Sequence, residues 1–578
     1  MKKVFRGITN PIFVSIVILI VTSIGLQIIQ IQHKNLYLGH DWVFHYNRFY
    51  DAAQQIKEGN FQYFISMYGF SQSGRIVNAL YGPAFAYFNG LLILICGTWF
   101  KYQLVSNFLI TFLSALSMFF LLKKNNIRIT ISVFLAVTYS TFNIVQGWTF
   151  NQMFNTWGSV LFPIGLLAAT KFLKDDDKWK STFLLAFSVT LSIQIHVLTS
   201  LFLVVLLAIF FIVGMCISKN RLQLLGWVTV AAIITLVMTA NVWYPLFETN
   251  LENTLLPPFL NYNFEATALK VSLYMLPAHI TIIVFSLFVL QFNFILFIKN
   301  SLLNRLVTIL GFTIFVISTR IFPWNEIIET IPNLAIIQFP FRFLVPAIAL
   351  IILGLGLSIE EILSKKRIFQ SIPFFVIFLV LMVGAISQHI IASETILARW
   401  NSNSVVSEDP NTTILADNSD ILRNSFHDED DLSTALKLVV KSTPDYLPIS
   451  DKKVIVDPDF HSYEEYKKTI LENKINTKLS KSVEDKKLTL RWSDTISQVQ
   501  TLPVFVYQRT EITLNGKKLE KSTLKTNNIG ALIVQSQKGK NILTVSYKKS
   551  FIFYYMLVIS VISWFVFAGA VIFRNFKY

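Results

Sequence analysis

Three short stretches of this chain hold the residue types from which chemistry could be built. The first reads Gly39-His40-Asp41-Trp42-Val43-Phe44-His45-Tyr46-Asn47-Arg48. In a helix Asp41 and His45 are four residues apart and share a face, and Arg48 lies on it too. A carboxylate beside an imidazole and a guanidinium suits a general base, a metal ligand or an oriented substrate contact. The same residues also read as a solvated helix start, with Asp41 as an anion in the first turn. His40, Asp41 and His45 could together hold a metal ion, although no further carboxylate cluster accompanies them. The second stretch is Pro323-Trp324-Asn325-Glu326 followed by Ile337-Gln338-Phe339-Pro340-Phe341-Arg342-Phe343-Leu344. Arg342 stands at the mouth of an apolar run among aromatics that suit a membrane interface. A guanidinium there either binds a lipid-borne phosphate bidentately or anchors the chain to phospholipid head groups. The third, His427-Asp428-Glu429-Asp430-Asp431, could attract a cation, but it precedes Leu432-Ser433-Thr434-Ala435, where helix N-terminal charge accounts for it. His196, at the end of an apolar run, reads as structural.

The elements that must position these residues are set by hydropathy. Of 578 residues, 53% are hydrophobic, 52 are Phe and only 15% are charged, with a mean hydropathy of +0.54. A soluble domain carries about 25% charge, so a string of dissolved domains is excluded. The net charge of +16 comes from short basic clusters between apolar runs, with no continuous basic face, which excludes a nucleic-acid binder. Cys96 and Cys216 lie far apart in apolar segments and support neither a disulfide framework nor a zinc site. The chain reads as a polytopic α-helical membrane protein.

Lys2, Lys3 and Arg6 precede an apolar run from Pro11 to Ile31, longer than a signal-peptide core and followed by no small-residue cleavage site. It is expected to be a retained first helix with its N-terminus cytoplasmic. The polar stretch 32–101 then lies outside, with 81–97 along the membrane surface. That choice places Lys123, Lys124 and Arg128 inside and keeps later basic clusters inside as well. Further spans are expected at 102–122, 129–147, 157–173, 181–197, 199–217, 222–245, 277–298, 306–319, 344–359, 370–393 and 551–572. That makes about twelve, with both termini cytoplasmic. The centres of these spans hold almost no charge, which argues against ion-coupled transport and places any active site at the outer surface.

Between Glu394 and Ser550 the composition changes. This segment holds about 21 of the 34 acidic and about 23 of the 50 basic residues, so it is close to neutral. It is expected to be an extracytoplasmic domain over 394–550, between a membrane domain over 1–393 and a final helix and tail over 551–578. Helices are expected at Leu432–Lys441 and Tyr463–Asn473. Alternation predicts strands at Lys487–Trp492, Val504–Tyr507, Ile512–Leu514, Ala531–Gln535 and Asn541–Tyr547. Asn515-Gly516 and Lys538-Gly539 supply hairpin turns, and a small β-sandwich should result.

The runs "GHDWVFHYNRFYDAAQQIKEGNF", "YGPAFAY", "WNEIIETIPNLAIIQFPFRFL", "TPDYLP" at 443–448 and the closing "LNGKKLEKSTLKTNNIGALIVQSQKGKNILTVSYKKS" resemble one group of bacterial membrane proteins. These are the YfhO-like proteins and relatives labelled 6-pyruvoyl-tetrahydropterin synthase-related, similar to the GT-C glycosyltransferase superfamily; no pterin chemistry is implied. The resemblance implies a plasma-membrane enzyme moving a sugar from a polyprenyl-phosphate donor to a cell-wall or cell-surface glycopolymer or glycolipid, such as teichoic acid. It implies Asp41 as the base and Arg342 at the donor phosphate with Gln338 nearby, by an inverting single displacement. His45, Arg48, Arg75 and Tyr81 join Gln338 and Arg342 as substrate contacts on this reading. Many GT-C enzymes carry a second acid in the next outer loop, where it helps bind a metal. Here that loop, Gln146 to Asn155, has none. Metal-independent transfer is therefore expected, with a divalent cation (Mg2+ or Mn2+) left open. The rival expectation is a non-catalytic membrane protein that exports or scaffolds surface polysaccharide.

Overall fold

The computed structural model describes residues 10–173, 178–272, 279–297, 300–364, 368–451, 455 and 459–576. The basic residues Lys2, Lys3, Arg6, Lys174, Lys299, Lys365, Lys366, Arg367 and Lys577, expected on the cytoplasmic side, lie outside the described residues. Among the described residues seven helices are long and apolar enough to cross a membrane: Trp99–Lys124, Phe154–Leu173, Val197–Ile217, Arg221–Met238, Pro340–Ser364, Leu379–Trp400 and Phe551–Phe573. Shorter apolar helices include Pro11–Gly25, Pro83–Cys96, Ile129–Thr141, Val284–Phe297 and Leu302–Ser318. At 1.5 Å per residue a 14-residue helix is about 21 Å long, against a hydrocarbon core of about 30 Å. Among the described residues, several of the expected runs thus form helices shorter than a full crossing, because they break early. The run 129–147, for instance, leaves the helix at Phe142, whose backbone is extended. The run 222–245 is divided between Arg221–Met238 and Ala240–Glu252.

The chain forms two compact units, one of Met1–Gly39, Gln103–Thr235 and Leu260–Ser402, the other of His40–Tyr102, Leu236–Phe259 and Asn403–Tyr578. The first unit is helical and buries neutral amides and hydroxyls between its helices. Gln291 Nε2 donates to Asn304 Oδ1 (2.9 Å) and Thr308 Oγ1 (2.7 Å), and Asn304 Nδ2 donates to Ser358 Oγ (2.9 Å). Gln30 Nε2 donates to Gln103 Oε1 at 2.6 Å. Such pairs satisfy polar groups where apolar surroundings offer no water.

The second unit joins the first polar loop to the β-rich segment. Five strands form one antiparallel sheet in the order Ser480–Glu484, Lys487–Asp494, Gly539–Tyr547, Thr510–Leu514 and Lys517–Lys518. Three more form a second sheet in the order Lys525–Thr526, Ala531–Gln535 and Val499–Phe505. Alternating residues of both sheets, including Leu488, Leu490, Val504, Leu532, Leu543 and Val545, share one hydrophobic core with Tyr63, Phe64 and Ile76 of the first loop. Asn515-Gly516 turns the hairpin as expected, with φ of 51° and 81°. Lys538-Gly539 does not, because Ala531–Gln535 and Gly539–Tyr547 belong to different sheets. The expected helix Leu432–Lys441 is likewise shorter: Ser433–Leu438 is helical, and Val439–Lys441 pairs as a strand with Thr412–Ile414. The β-branched pair Val439-Val440 favours that switch.

Candidate functional site

The helix Trp42–Lys57 is not solvated. It buries Trp42, Val43, Phe44, His45, Tyr46, Asn47, Arg48 and Phe49 in succession, then Asp51, Ala52, Ala53 and Gln55. Small residues make this possible on one side, where Pro83–Cys96 packs against it. A Cβ on Gly90 would lie 2.7 Å from the Ala53 backbone nitrogen, so the two helices touch at Gly90, Ala52 and Ala53. Half-buried Asp41 precedes the helix, and its side chain makes no capping hydrogen bond to it. The reading of this stretch as a solvated helix start is therefore corrected, while Asp41 does stand at the helix N-cap.

Arg48 is completely enclosed and His45 is 3% exposed. Arg48 Nε donates to Asn78 Oδ1 at 3.1 Å, and Nη1 lies 3.3 Å from His45 Nδ1. Its guanidinium stands over the Tyr81 ring, 4.4 Å from the centroid, an attraction that strengthens when water is excluded. Burial draws this guanidinium down to about 10, with the Tyr81, Tyr446 and Tyr102 hydroxyls opposing, so it remains a cation at neutral pH.

Arg75 is also wholly buried. Its Nη1 donates to the Thr443 carbonyl (2.5 Å) and hydroxyl (2.8 Å), and Nη2 to the Asp445 carbonyl (2.7 Å). The residue expected to touch substrate thus holds the 443–448 segment in place. Lys441 does the same from the other side, with Nζ donating to the His40 carbonyl at 2.6 Å and to Asp409 Oδ2 at 2.7 Å. In this way Asp41 and Asp445 are drawn close enough for their charges to repel. Removal from water pushes the Asp445 carboxyl up to about 6, Arg75 and Lys441 oppose that, and Asp41 adds to it. Tyr446 has a φ of 64°, unusual for a residue with a bulky side chain. Its N–H donates to the Leu256 carbonyl, its carbonyl accepts from the Tyr507 hydroxyl, and its ring meets the edge of Tyr81.

Beneath this cluster Phe70, Ser71 and Gln72 are all left-handed, with φ of 51°, 55° and 52°. The turn is held from both ends. Asp51 Oδ1 accepts from the Tyr68 and Gly69 N–H groups (2.8 and 3.1 Å), and Asn47 Oδ1 accepts from Phe70 N–H. Lys481 Nζ donates to the carbonyls of Ser71 (2.6 Å) and Gln72 (3.3 Å). Burial raises the Asp51 carboxyl to about 6 and lowers the Lys481 ammonium to about 7. Asp51, Lys441, Asp445, Tyr446 and Lys481 were not singled out as functional from sequence. The "TPDYLP" run was the one signal that pointed to two of them.

Gln338 and Arg342 belong to the other unit. Arg342 is half-buried, with Nη1 donating to the Ile337 carbonyl at 3.0 Å and the guanidinium 5.0 Å from the Phe339 ring centroid. Gln338 has φ 67° and ψ −54°, and its carbonyl accepts from Asn261 Nδ2 at 2.6 Å. His196 caps Val197–Ile217 by accepting from the Thr199 N–H. In the acidic run, Asp428 accepts from the Asp430 and Asp431 N–H groups and Asp431 from Ser433, so those charges order their own turn. The acid-free loop around Gln152 is structural too: Gln152 Oε1 accepts from the Gly39 N–H and Nε2 donates to the Tyr37 carbonyl.

Among the described residues no group of three or more His, Cys, Asp or Glu side chains is placed to hold a metal ion. His40, Asp41 and His45 do not form one, and His45 directs Nδ1 to the Arg48 guanidinium, a poor neighbour for a second cation. The set His40, Asp41 and His45 therefore does not make the three-ligand site that their spacing suggested. No protein-family model matches the chain, and no curated protein matches it.

Proposed function

We propose that this chain is a bacterial membrane glycosyltransferase of GT-C type, acting on the outer face with a polyprenyl-phosphate-linked sugar as donor. The acceptor is a cell-wall or cell-surface glycopolymer such as teichoic acid, or a glycolipid. The topology that goes with this reading has about twelve crossings and cytoplasmic termini. The observation that carries it is the environment of Asp41. A half-buried carboxylate, making no side-chain capping hydrogen bond to its own helix, precedes a helix that buries His45 and Arg48, with Arg48 over the half-buried Tyr81 ring, in a chain rich in apolar helices.

Asp41 takes the proton of the acceptor hydroxyl as that oxygen attacks the anomeric carbon, inverting it. The bond to the donor phosphate breaks and its electron pair leaves with the phosphate. Polyprenyl phosphate is a stable anion, so no strong general acid is required; the resemblance alone carries over Arg342 and Gln338 as donor-phosphate contacts. Arg48 and Tyr81 keep the Asp41 wall rigid, and Arg75 holds the segment opposite. No step runs through a metal.

Deleting the chain in its native host tests the class of function. Loss of one sugar substituent from a surface polymer, with accumulation of the matching lipid-linked sugar, is the expected result by mass spectrometry. Loss of the whole polymer with its substituent ratio intact would favour export or scaffolding instead.

A further inference from the structure

The near-neutral segment 394–550 conceals a division of charge. Residues 394–473 carry 16 acidic and 8 basic side chains, whereas residues 474–550 carry 5 acidic and 15 basic ones, a net +10 on the β-rich part. Part of that charge gathers at one end of the five-stranded sheet. A cavity of about 520 Å3, the size of a small-molecule site, opens there between Arg509, Lys518, Lys521 and Lys548, with Glu511 and Glu520 also on its wall. Thr510 pairs with Tyr547, and the Lys548 N–H donates to the Arg509 carbonyl at 2.9 Å, so Arg509 and Lys548 stand side by side at the strand ends. Two of the four cations already have carboxylate partners. Lys518 Nζ donates to Glu511 at 2.8 Å, and Arg509 Nε donates to Glu252 Oε2 at 2.6 Å, with Glu248 3.5 Å from Nη2. Among the described residues Arg509 Nη1 and the Nζ atoms of Lys521 and Lys548 have neither a hydrogen bond nor an ion pair. Against them stands one exposed carboxylate, Glu520. The neighbouring Lys549 is different, being tied to the Phe61 carbonyl at 3.1 Å.

The level of this cavity is set by the apolar helix Phe551–Phe573, which starts three residues after Lys548. Phe551, Tyr554 and Tyr555 in its first turns are each more than half exposed, and aromatic side chains so placed settle among lipid head groups. The uncommitted cations therefore stand at the depth where a leaflet carries its phosphates. We propose that this cavity binds the phosphodiester head group of an anionic phospholipid, such as phosphatidylglycerol. The Arg509 guanidinium, held in orientation by Glu252, turns its free Nη1 to one phosphate oxygen, and Lys521 and Lys548 meet the charge as ammonium groups. The lipid tails lie along the exposed apolar start of the final helix. A soluble polyanion would find positive charge at the far end of the sheet too, at Lys538 and Lys540, but the cavity is at the membrane end. This inference needs only that the chain sits in a bilayer and is independent of the glycosyltransferase reading.

The test uses the full-length protein in phosphatidylcholine vesicles that carry a small fraction of phosphatidylglycerol with a diazirine near the head of one acyl chain. After illumination, peptide mass spectrometry locates the label. It is expected on residues 508–521 and 546–555, competed by unlabelled phosphatidylglycerol and not by phosphatidylcholine. Removing each lysine near an anionic surface should weaken binding about fivefold, so labelling falls stepwise in Lys521→Gln and in the double variant with Lys548→Gln. Arginine at both positions should preserve it. Neither ammonium makes a bond in the fold, so the unfolding temperature should not move. Lys538→Gln with Lys540→Gln removes equal charge about 25 Å away along the same strand and should leave labelling unchanged. Labelling that survives the Lys521 and Lys548 changes, or falls equally in the distant pair, would overturn the proposal. So would competition by inorganic phosphate or poly(glycerol phosphate) as strong as that by phosphatidylglycerol, which would assign the cavity to a free phosphate or a soluble polymer.

Discussion

Arg75 and Arg342 each stand in an aromatic-rich turn, 4.8 Å from the Phe70 ring and 5.0 Å from the Phe339 ring. Their remaining surroundings differ. Arg75 is fully enclosed and donates three hydrogen bonds to a segment more than 360 residues away in sequence. Arg342 is half-buried and bonds a carbonyl five residues back in its own turn. One guanidinium is framework, because the backbone oxygens it satisfies would otherwise be buried without donors. The other keeps part of its surface accessible, as a group that meets an anion must. Residue type and aromatic neighbours therefore do not distinguish these two surroundings; the length and burial of the hydrogen-bonded span do.

That contrast breaks most readily at Arg75. Arg75→Met removes a buried cation and its three bonds, and is expected to cost about 3–5 kcal/mol and expose residues 443–448 to protease. Arg342→Ala should cost under about 1 kcal/mol by the same unfolding assay. Equal losses for the two variants would erase the distinction. Next in size is Asp51, framework of the opposite sign. Its carboxyl sits near 6 because it is buried, above an unfolded value of about 4. The folded state therefore binds more protons between those values, and stability falls as pH rises from about 4 to about 6, then levels. Asp51→Asn should flatten that part of the profile by roughly 2–3 kcal/mol relative to wild type; a parallel profile would mean the acid ionises freely. For Arg342→Ala the expected functional effect is about a tenfold rise in donor KM, near 1.4 kcal/mol, with the acceptor KM unmoved. Unchanged donor dependence would return Arg342 to lipid anchoring. Smallest is Gln338→Gly. Relief of the positive φ should stabilise the protein by up to about 1 kcal/mol while donor use weakens. A variant that gains stability and loses nothing would remove Gln338 from the site.

How much of this was legible in the sequence depended on distance along the chain. Ala531–Gln535 is a strand with the bounds expected, and Asn515-Gly516 announced its turn, because both signals are local. The turn at Asp485-Lys486, φ 48° and 62°, carries no glycine and gave no sign, so the strand Ser480–Glu484 before it was missed. Lys538-Gly539 looked like a hairpin but links two sheets, a choice made by the shared core and not by the turn. Hydropathy found the long helices, yet not where Phe142 or Thr239 would interrupt them. In the site, the i, i+4 spacing brought out Asp41 and His45. Arg48 was expected to be accessible, because periodicity does not reveal that a helix is buried on nearly every side. Asp445 and Lys441 approach Asp41 and His40 only through tertiary packing, about 400 residues away, and no spacing rule reaches that far.

The central claim is that the half-buried carboxylate of Asp41 removes a proton during sugar transfer. Transfer of radiolabelled sugar from a polyprenyl-phosphate donor, compared between wild-type and Asp41→Asn protein at equal amounts in vesicles, tests it most directly. The account predicts transfer by the wild type and at least a thousandfold loss in the variant (about 4 kcal/mol of transition-state stabilisation), with expression and unfolding temperature unchanged. Full activity in Asp41→Asn would contradict it.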